Sequence, residues 1–264
     1  MTGPLGRLAP FGGLRFGRIA NVVLLEETGS TNDVARGLVE KMVAEDTDIL
    51  PTCVVARRQT SGKGRSGRSW ETAGEGAVAA SLVAPWPEGP ERIRVPVRAG
   101  IVLARALSAA FGVDLRLKWP NDLLAGGTKV AGILVEGRAL PDGLGYVVVG
   151  VGLNVRATRS ELDALGLPGA GSLAIAGAAP AALDGDAPFE AVLGALDAFL
   201  GDEVPDLPSA FASVTVHRPG DRLEVRDGER VVAGGYAGLT PDGLLRLETG
   251  GGVVELISGD VTSF

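Results

Sequence analysis

The sequence predicts an α/β domain, a central sheet backed by helices, followed by a small antiparallel barrel. Three observations carry this. Up to about residue 200, apolar runs of strand length alternate with segments of helical period. Pro205 and Pro208 then mark a boundary. From Ser213 onward, short strands are broken by turn signals at Pro219-Gly220-Asp221, Asp227-Gly228, Pro241-Asp242-Gly243 and Gly250-Gly251-Gly252. The 264 residues suffice for one sizeable core plus an appendage. The expected organisation is an N-terminal extension over 1–19, a main domain over 20–212 and a smaller domain over 213–264.

Taken in order, residues 22–25 (Val-Val-Leu-Leu) read as a buried strand. A helix follows over about 31–44, with Ser30 as N-cap, Asp33 three residues on, and Val34, Leu38 and Met42 recurring on one face. The next strand spans about 53–57 and runs into a Gly/Arg-rich loop. Ala77 to Ala84 reads as a strand and Val97 to Phe111 as an apolar helix packed on the sheet. Val113 to Leu117 alternates apolar with charged residues, the pattern of a half-exposed strand, and delivers Lys118-Trp119-Pro120-Asn121-Asp122 into a turn. Val130–Glu136 and Tyr146–Val151 flank Pro141-Asp142-Gly143 and read as a hairpin. Residues 156–188 hold short helical pieces, and Phe189 to Leu200 reads as a further helix. The sheet is expected to carry its helices on one side.

Composition narrows the chemistry. The net charge of −7 repels phosphate backbones and acidic membrane surfaces, so any nucleotide site must be a local basic island. The single cysteine, Cys53, cannot form an internal disulfide and lies in an apolar run, where it reads as buried packing in a reducing compartment. No apolar run reaches membrane-spanning length and Met1 to Arg18 has no signal-peptide core, which predicts a cytoplasmic protein. The lone histidine, His217, meets a turn and is a poor basis for a Ser-His-Asp, Cys-His or metal site. Four lysines (41, 63, 118, 129), four asparagines (21, 32, 121, 154) and one glutamine (59) stand against 21 arginines. A lysine retained in such a background suggests a need for a compact point charge.

The densest signal is Gln59-Thr60-Ser61-Gly62-Lys63-Gly64-Arg65-Ser66-Gly67-Arg68-Ser69-Trp70. Its glycines admit close backbone approach, and Lys63, Arg65 and Arg68 concentrate positive charge, which suits an anionic, phosphate-bearing ligand. Gly62 to Gly67 also satisfies G-x-G-x-x-G, but no helix fits before the next strand; a P-loop fails because glycine follows Lys63. A basic surface loop is the bland alternative. In the second signal, Pro120-Asn121-Asp122 alone is an ordinary turn. With Lys118, Trp119 and Lys129 beside it, cationic, carboxylate and aromatic groups converge as adenine, triphosphate and a divalent ion would require.

Taken together, Ser30-Thr31-Asn32, Gly62 to Trp70, Lys118 to Asp122, Lys129 to Glu136 and Gly150-Val151-Gly152-Leu153-Asn154-Val155 resemble, in the same order, the motifs of bacterial biotin protein ligases. The resemblance runs from about residue 20 to the end. It departs at Lys63, where the family usually has arginine. It departs again in the roughly 20 residues before the first strand, too few for the winged helix-turn-helix of many relatives.

The resemblance implies a mixed sheet with helices like that of class II aminoacyl-tRNA synthetases and a C-terminal SH3-like barrel. It implies ATP-dependent activation of biotin to biotinyl-5′-AMP and transfer to a lysine on the biotin carboxyl carrier domain of acetyl-CoA or a related acyl-CoA carboxylase. No nucleic acid or membrane is involved, and a homodimer is left open. Carried over by residue, Ser30, Thr31, Asn32, Gln59, Lys63, Gly64, Arg65 and Lys129 would bind biotin, with Lys63, Gly64, Arg65 and Lys129 around its carboxylate and the α-phosphate. Arg68, Trp70, Lys118, Asn121, Asp122 and Asn154 would serve ATP, with Asp122 on Mg2+. Arg65, Lys118 and Lys129 would be catalytic, and loop 62–71 would be mobile when empty and close over the adenylate. A lipoate-type ligase or acyltransferase of the same fold, and a non-catalytic biotin- or nucleotide-binding protein, are the alternatives.

Overall fold

The computed structural model describes residues 16–71, 76–85, 91–140 and 145–263. In chain order the first half holds β1 (Asn21–Thr28), α1 (Thr31–Ala44), β2 (Thr52–Gln59), the two-residue strands β3 (Gly62–Lys63) and β4 (Ser69–Trp70), β5 (Ala77–Pro85) and α2 (Glu91–Phe111). Then come β6 (Arg116–Lys118), β7 (Asp122–Ala125), β8 (Thr128–Ala139), β9 (Gly145–Asn154), α3 (Arg159–Ala164), α4 (Ala187–Phe199) and α5 (Leu207–Val214). The chain ends in β10 (Arg222–Asp227), β11 (Arg230–Leu239), β12 (Leu245–Thr249), β13 (Gly252–Leu256) and β14 (Asp260–Ser263).

Seven strands form one mixed sheet in the order β1-β2-β5-β9-β8-β7-β6, in which β1 and β2 run parallel and every other neighbour is antiparallel. β5 is apolar almost without interruption, and β2 is apolar from Cys53 to Ala56, because both faces are covered there. Alternate residues separate cleanly. Val54, Val83 and Val148 pack with Ala35 and Val39 of α1, whereas Val55, Leu82 and Val149 pack in the larger core with α2 and α4. The expectation of helices on one side is therefore corrected: α1 takes one face, α2 and α4 the other. Truncating a buried core residue such as Leu103 or Leu107, both at 0% exposure, should cost about 2–5 kcal/mol.

Other expectations are adjusted by position in the sheet. β1 is half-buried rather than buried, because it is an edge strand. In α1 the buried stripe is Ala35 and Val39, one residue beyond the expected Val34 and Leu38, which lie at its margin. Helix α2 starts at Glu91, with Pro96 inside it. Val113, Leu115 and Leu117 are buried and Asp114 exposed, as the alternation requires, but strand pairing is confined to Arg116–Lys118. The β8–β9 hairpin forms as expected, and its turn, 141–144, lies outside the described residues. So does most of the 1–19 extension; Arg18 and Ile19 donate backbone N–H groups to Asp197 on α4.

Pro205 and Pro208 introduce a helix instead of ending one. Asp206 caps α5 by accepting from the Ser209 N–H at 3.1 Å, and Pro208 sits in the first turn, where its missing N–H has no intrahelical partner to lose. Leu207, Phe211 and Val214 of α5 join the same core as Leu223, Val225, Tyr236 and Leu247 of the C-terminal strands. Those strands form an antiparallel sheet, β13-β12-β11-β10-β14. Among the described residues β13 and β14 are not paired, so the sheet is open where a closed barrel was expected. Cys53 is fully buried and burial pushes its thiol far above the ordinary range, consistent with packing. No helix among the described residues is long and apolar enough to cross a membrane.

Candidate functional site

The cleft opens where β1 and β2 end. The chain turns at Gly29, Ser30 takes extended backbone as N-cap of α1 without a side-chain capping bond, and Thr31 and Asn32 begin the helix buried at 3% and 4% exposure. Gln59, closing β2, meets them: its Oε1 accepts from the Thr31 N–H at 2.7 Å and lies 3.0 Å from the Thr31 hydroxyl. A first-turn helix N–H that would otherwise lack a partner is thus satisfied by a side chain from the neighbouring strand.

The Gly/Arg-rich segment is a small folded hairpin. Strand β3 pairs with β4, and a tight turn at 65–67 carries Ser66 at φ 54° and Gly67 at φ 74°. The segment expected to be mobile when empty reaches across to the C-terminal strands. Arg65 donates to the Gly259 carbonyl at 3.0 Å and to Asp260 and Asn121 at 3.4 Å each, and Arg68 reaches Asp260 at 2.7 Å. Burial depresses the Arg65 guanidinium while Asp260 opposes that shift. Lys63 leaves the hairpin sideways and pairs with Asp33 of α1 at 2.6 Å.

Trp70 lies across the sheet in a slot made by glycines. A Cβ at Gly132 would come within 2.9 Å of its ring, and one at Gly152 would overlap the indole. Lys129 stands above the same ring, 5.5 Å from its centre, and pairs with Asp122 at 2.7 Å. Asn121 is locked to β8: it donates through Nδ2 to the Ile133 carbonyl at 2.8 Å and accepts from the Ile133 N–H at 2.9 Å.

Ser30, Thr31, Asn32, Gln59, Lys63, Gly64, Arg65, Arg68, Trp70, Asn121, Asp122 and Lys129 thus line one cleft of about 110 Å³. Two expected residues do not. Lys118, on β6, is half-buried behind Asp122; burial lowers its pKa while Asp122 raises it and Lys129 lowers it further. Asn154 is buried at the end of β9, donating to the Gly171 carbonyl at 2.9 Å. Trp119 is a core residue at 1% exposure, so the aromatic surface of the cleft is Trp70 alone among the tryptophans of the two motifs. His217 also points inward: its Nε2 accepts from the Trp119 N–H at 3.3 Å and its pKa is pushed down to about 4 by burial and by Lys118.

The sequence reading missed Ser81, Asp260, Asp33 and Glu136 as partners of site residues. Ser81 carried a signal, as the one polar residue in an apolar strand; Asp260 lies 192 residues from Arg68 and carried none. Among the described residues no three His, Cys, Asp or Glu side chains cluster as a metal site.

A family model described as the biotin/lipoate A/B protein ligase family matches residues 26–154. The chain is 33% identical over 257 residues to a biotin–[acetyl-CoA-carboxylase] ligase of Mycobacterium tuberculosis, covering 90% of this chain and 87% of that one. It is 32% identical over 165 residues to the ligase of the same name from Paracoccus denitrificans, covering 62% of each. Its fold matches a biotin protein ligase from Aquifex aeolicus in complex with biotin and ATP, with a TM-score of 0.67, 25% identity and coverage of 92% and 98%.

Proposed function

We infer the chemistry from one premise, that the chain belongs to the biotin protein ligase family, and read it as an ATP-dependent biotin ligase. A carboxylate oxygen of biotin attacks the α-phosphorus of ATP, the bond to the pyrophosphate oxygen breaks, and biotinyl-5′-AMP forms. The ε-amine of an acceptor lysine then attacks the acyl carbon, AMP leaves, and the amine sheds a proton. Neither step needs an enzyme nucleophile, so the work is positioning and charge stabilisation.

The observation that carries this reading is the convergence, in one cleft of an acidic protein, of a buried amide–hydroxyl corner with four cations and an indole. Thr31, Asn32 and Gln59, with Ser30, suit the ureido ring, which needs both donors and acceptors. Lys63, Gly64, Arg65 and Lys129 face the carboxylate and α-phosphate, two anions that must be brought together against repulsion. Arg68, Trp70, Asn121 and Asp122 take the rest of the nucleotide, while Lys118 and Asn154 support it from behind the cleft wall. Arg65 and Lys129, which line the cleft, are the proposed catalytic cations, and Lys118 would act on them from behind the wall through Asp122. Among the described residues lining the cleft Asp122 is the one carboxylate, which fits a Mg2+ ion that shares its shell with substrate phosphates: Asp122 would hold it, and it would neutralise phosphate charge.

The finer assignments belong to the same proposal. The seven-stranded unit, 20–212, is the catalytic domain of class II synthetase type; residues 213–264 form a partly open SH3-like barrel, a reading supported by register shifts that coil β10 and β11. The acceptor is a biotin carboxyl carrier domain of an acyl-CoA carboxylase in the cytoplasm. Biotin-dependent ATP–pyrophosphate exchange tests the first half-reaction: exchange with biotin is expected, and exchange with lipoate but not biotin, or ligand binding without exchange, would overturn it.

A further inference from the structure

Behind the amide–hydroxyl corner lies a hydrogen-bond relay. Ser81 is fully buried in β5, with its Oγ 2.7 Å from the Thr31 hydroxyl and 2.6 Å from Asn32 Oδ1. Asn32 Nδ2 donates to Glu136 Oε2 at 2.6 Å. The Asn32 amide lies flat against β9, where a Cβ at Gly150 would overlap it. Glu136 is flanked by Arg36, which also pairs with Asp33, the partner of Lys63.

Counting protons fixes the direction of this relay. An ionised carboxylate only accepts, so Asn32 must turn its NH2 to Glu136 and its oxygen to Ser81. Three contacts then remain, Asn32–Ser81, Ser81–Thr31 and Thr31–Gln59, with two hydroxyl protons to serve them; the Thr31 N–H already donates to Gln59 Oε1, so when Ser81 donates to Asn32 and the Thr31 hydroxyl to Ser81, one lone pair of Gln59 Oε1 is left open. The corner is one donor short. If the amide were reversed, Asn32 NH2 would donate to Ser81, Ser81 to Thr31 and Thr31 to Gln59, and the corner would be satisfied within itself.

We propose that Glu136 is a positioning residue that holds the Asn32 amide in one orientation and thereby keeps the ligand-binding corner short of a hydrogen-bond donor, a deficit filled by an N–H of the ligand ring. The inference rests on the biotin-ligase reading and names what that reading leaves open: why a ring bearing N–H donors is preferred there. Glu136 touches no substrate in this scheme; its influence passes through Asn32.

The test exchanges the two groups. Glu136→Gln supplies a side chain that can donate as well as accept, so Asn32 is free to reverse and the corner closes on itself. The KM for biotin in pyrophosphate exchange should rise about tenfold, the low end of what a lost buried polar match costs, with the KM for ATP and the melting temperature little changed. Adding Asn32→Asp returns an obligate acceptor to Ser81 with the amide now at 136, and should recover most of the loss. A wild-type biotin KM in Glu136→Gln, or a double variant as impaired as the two single losses combined, would overturn the proposal. Absence of biotin-dependent exchange in the unaltered protein would instead overturn the functional reading on which it stands.

Discussion

At the scale of single residues, the cleft is a set of charges already answered. Lys129 sits on Asp122, Lys63 on Asp33, and Arg65 and Arg68 share Asp260. An entering anion therefore competes with three carboxylates for these cations. Lys129 is best placed, since it also overlooks Trp70 and is only partly exposed. Replacing it by alanine should remove a preorganised cation facing the α-phosphate and slow single-turnover adenylate formation by about 10²–10³, roughly 2.7–4 kcal/mol. Lys41 is the internal control. It is 69% exposed at the end of α1 and paired with Glu45 one turn on, so Lys41→Ala should leave the rate where it was. Equal losses in both variants would mean that the site has been assigned to the wrong lysine.

At the scale of elements, the hairpin β3–β4 depends on a residue near the far end of the chain. Arg68 and Asp260 are 60% and 34% exposed, so their pair contributes at most about 1 kcal/mol after screening; with Arg65 on the same carboxylate it can still set how often the hairpin opens. Asp260→Ala should speed trypsin cleavage after Arg65 and Arg68 a few-fold, and added biotin and ATP should slow it again in both proteins. Unchanged cleavage in the variant would show that backbone pairing alone holds the hairpin. The limits of sequence reading follow the same line. Periodicity gave the bounds of the helix at Thr31–Ala44, although Ser30 makes no side-chain capping bond and the buried stripe lies one residue beyond the one expected. The cleft residues were legible because the family resemblance rests on local motifs, which carry them over residue by residue; the scarce side chains agree with it. What sequence concealed is long-range: which face each helix covers, that Pro208 starts α5, that Trp119 turns into the core while Trp70 turns out, and that Asp260 and Glu136 partner residues far from them in the chain.

At the scale of the whole molecule, the two sheets meet through α5 and the strand-like segment after it, where Val216 N–H donates to the Leu117 carbonyl at 3.1 Å. His217 follows at this junction. It accepts from Trp119 N–H beside the cleft-forming hairpin and lies 5.5 Å from the ring of Tyr236 in β11, so it joins the two units. Its pKa of about 4 in the fold, against 6.5 as the ordinary value, means that between these two pH values the unfolded chain binds a proton that the folded one refuses. Stability is therefore whole above pH 6.5, declines as pH falls toward 4, and loses nothing further from this group below that. The full shift corresponds to a ceiling of about 3 kcal/mol, the cause being first burial and then the charge of Lys118. Carboxylates titrate in the lower part of the same range, so the measurement must be a difference. Urea midpoints for the wild type and for His217→Gln, whose side-chain oxygen can still accept from Trp119 but cannot titrate there, should lie furthest apart at pH 7. They should converge, or cross, as pH approaches 4. Parallel curves across that window would mean that His217 takes up its proton in the folded state at an ordinary pH and that the junction admits a charge.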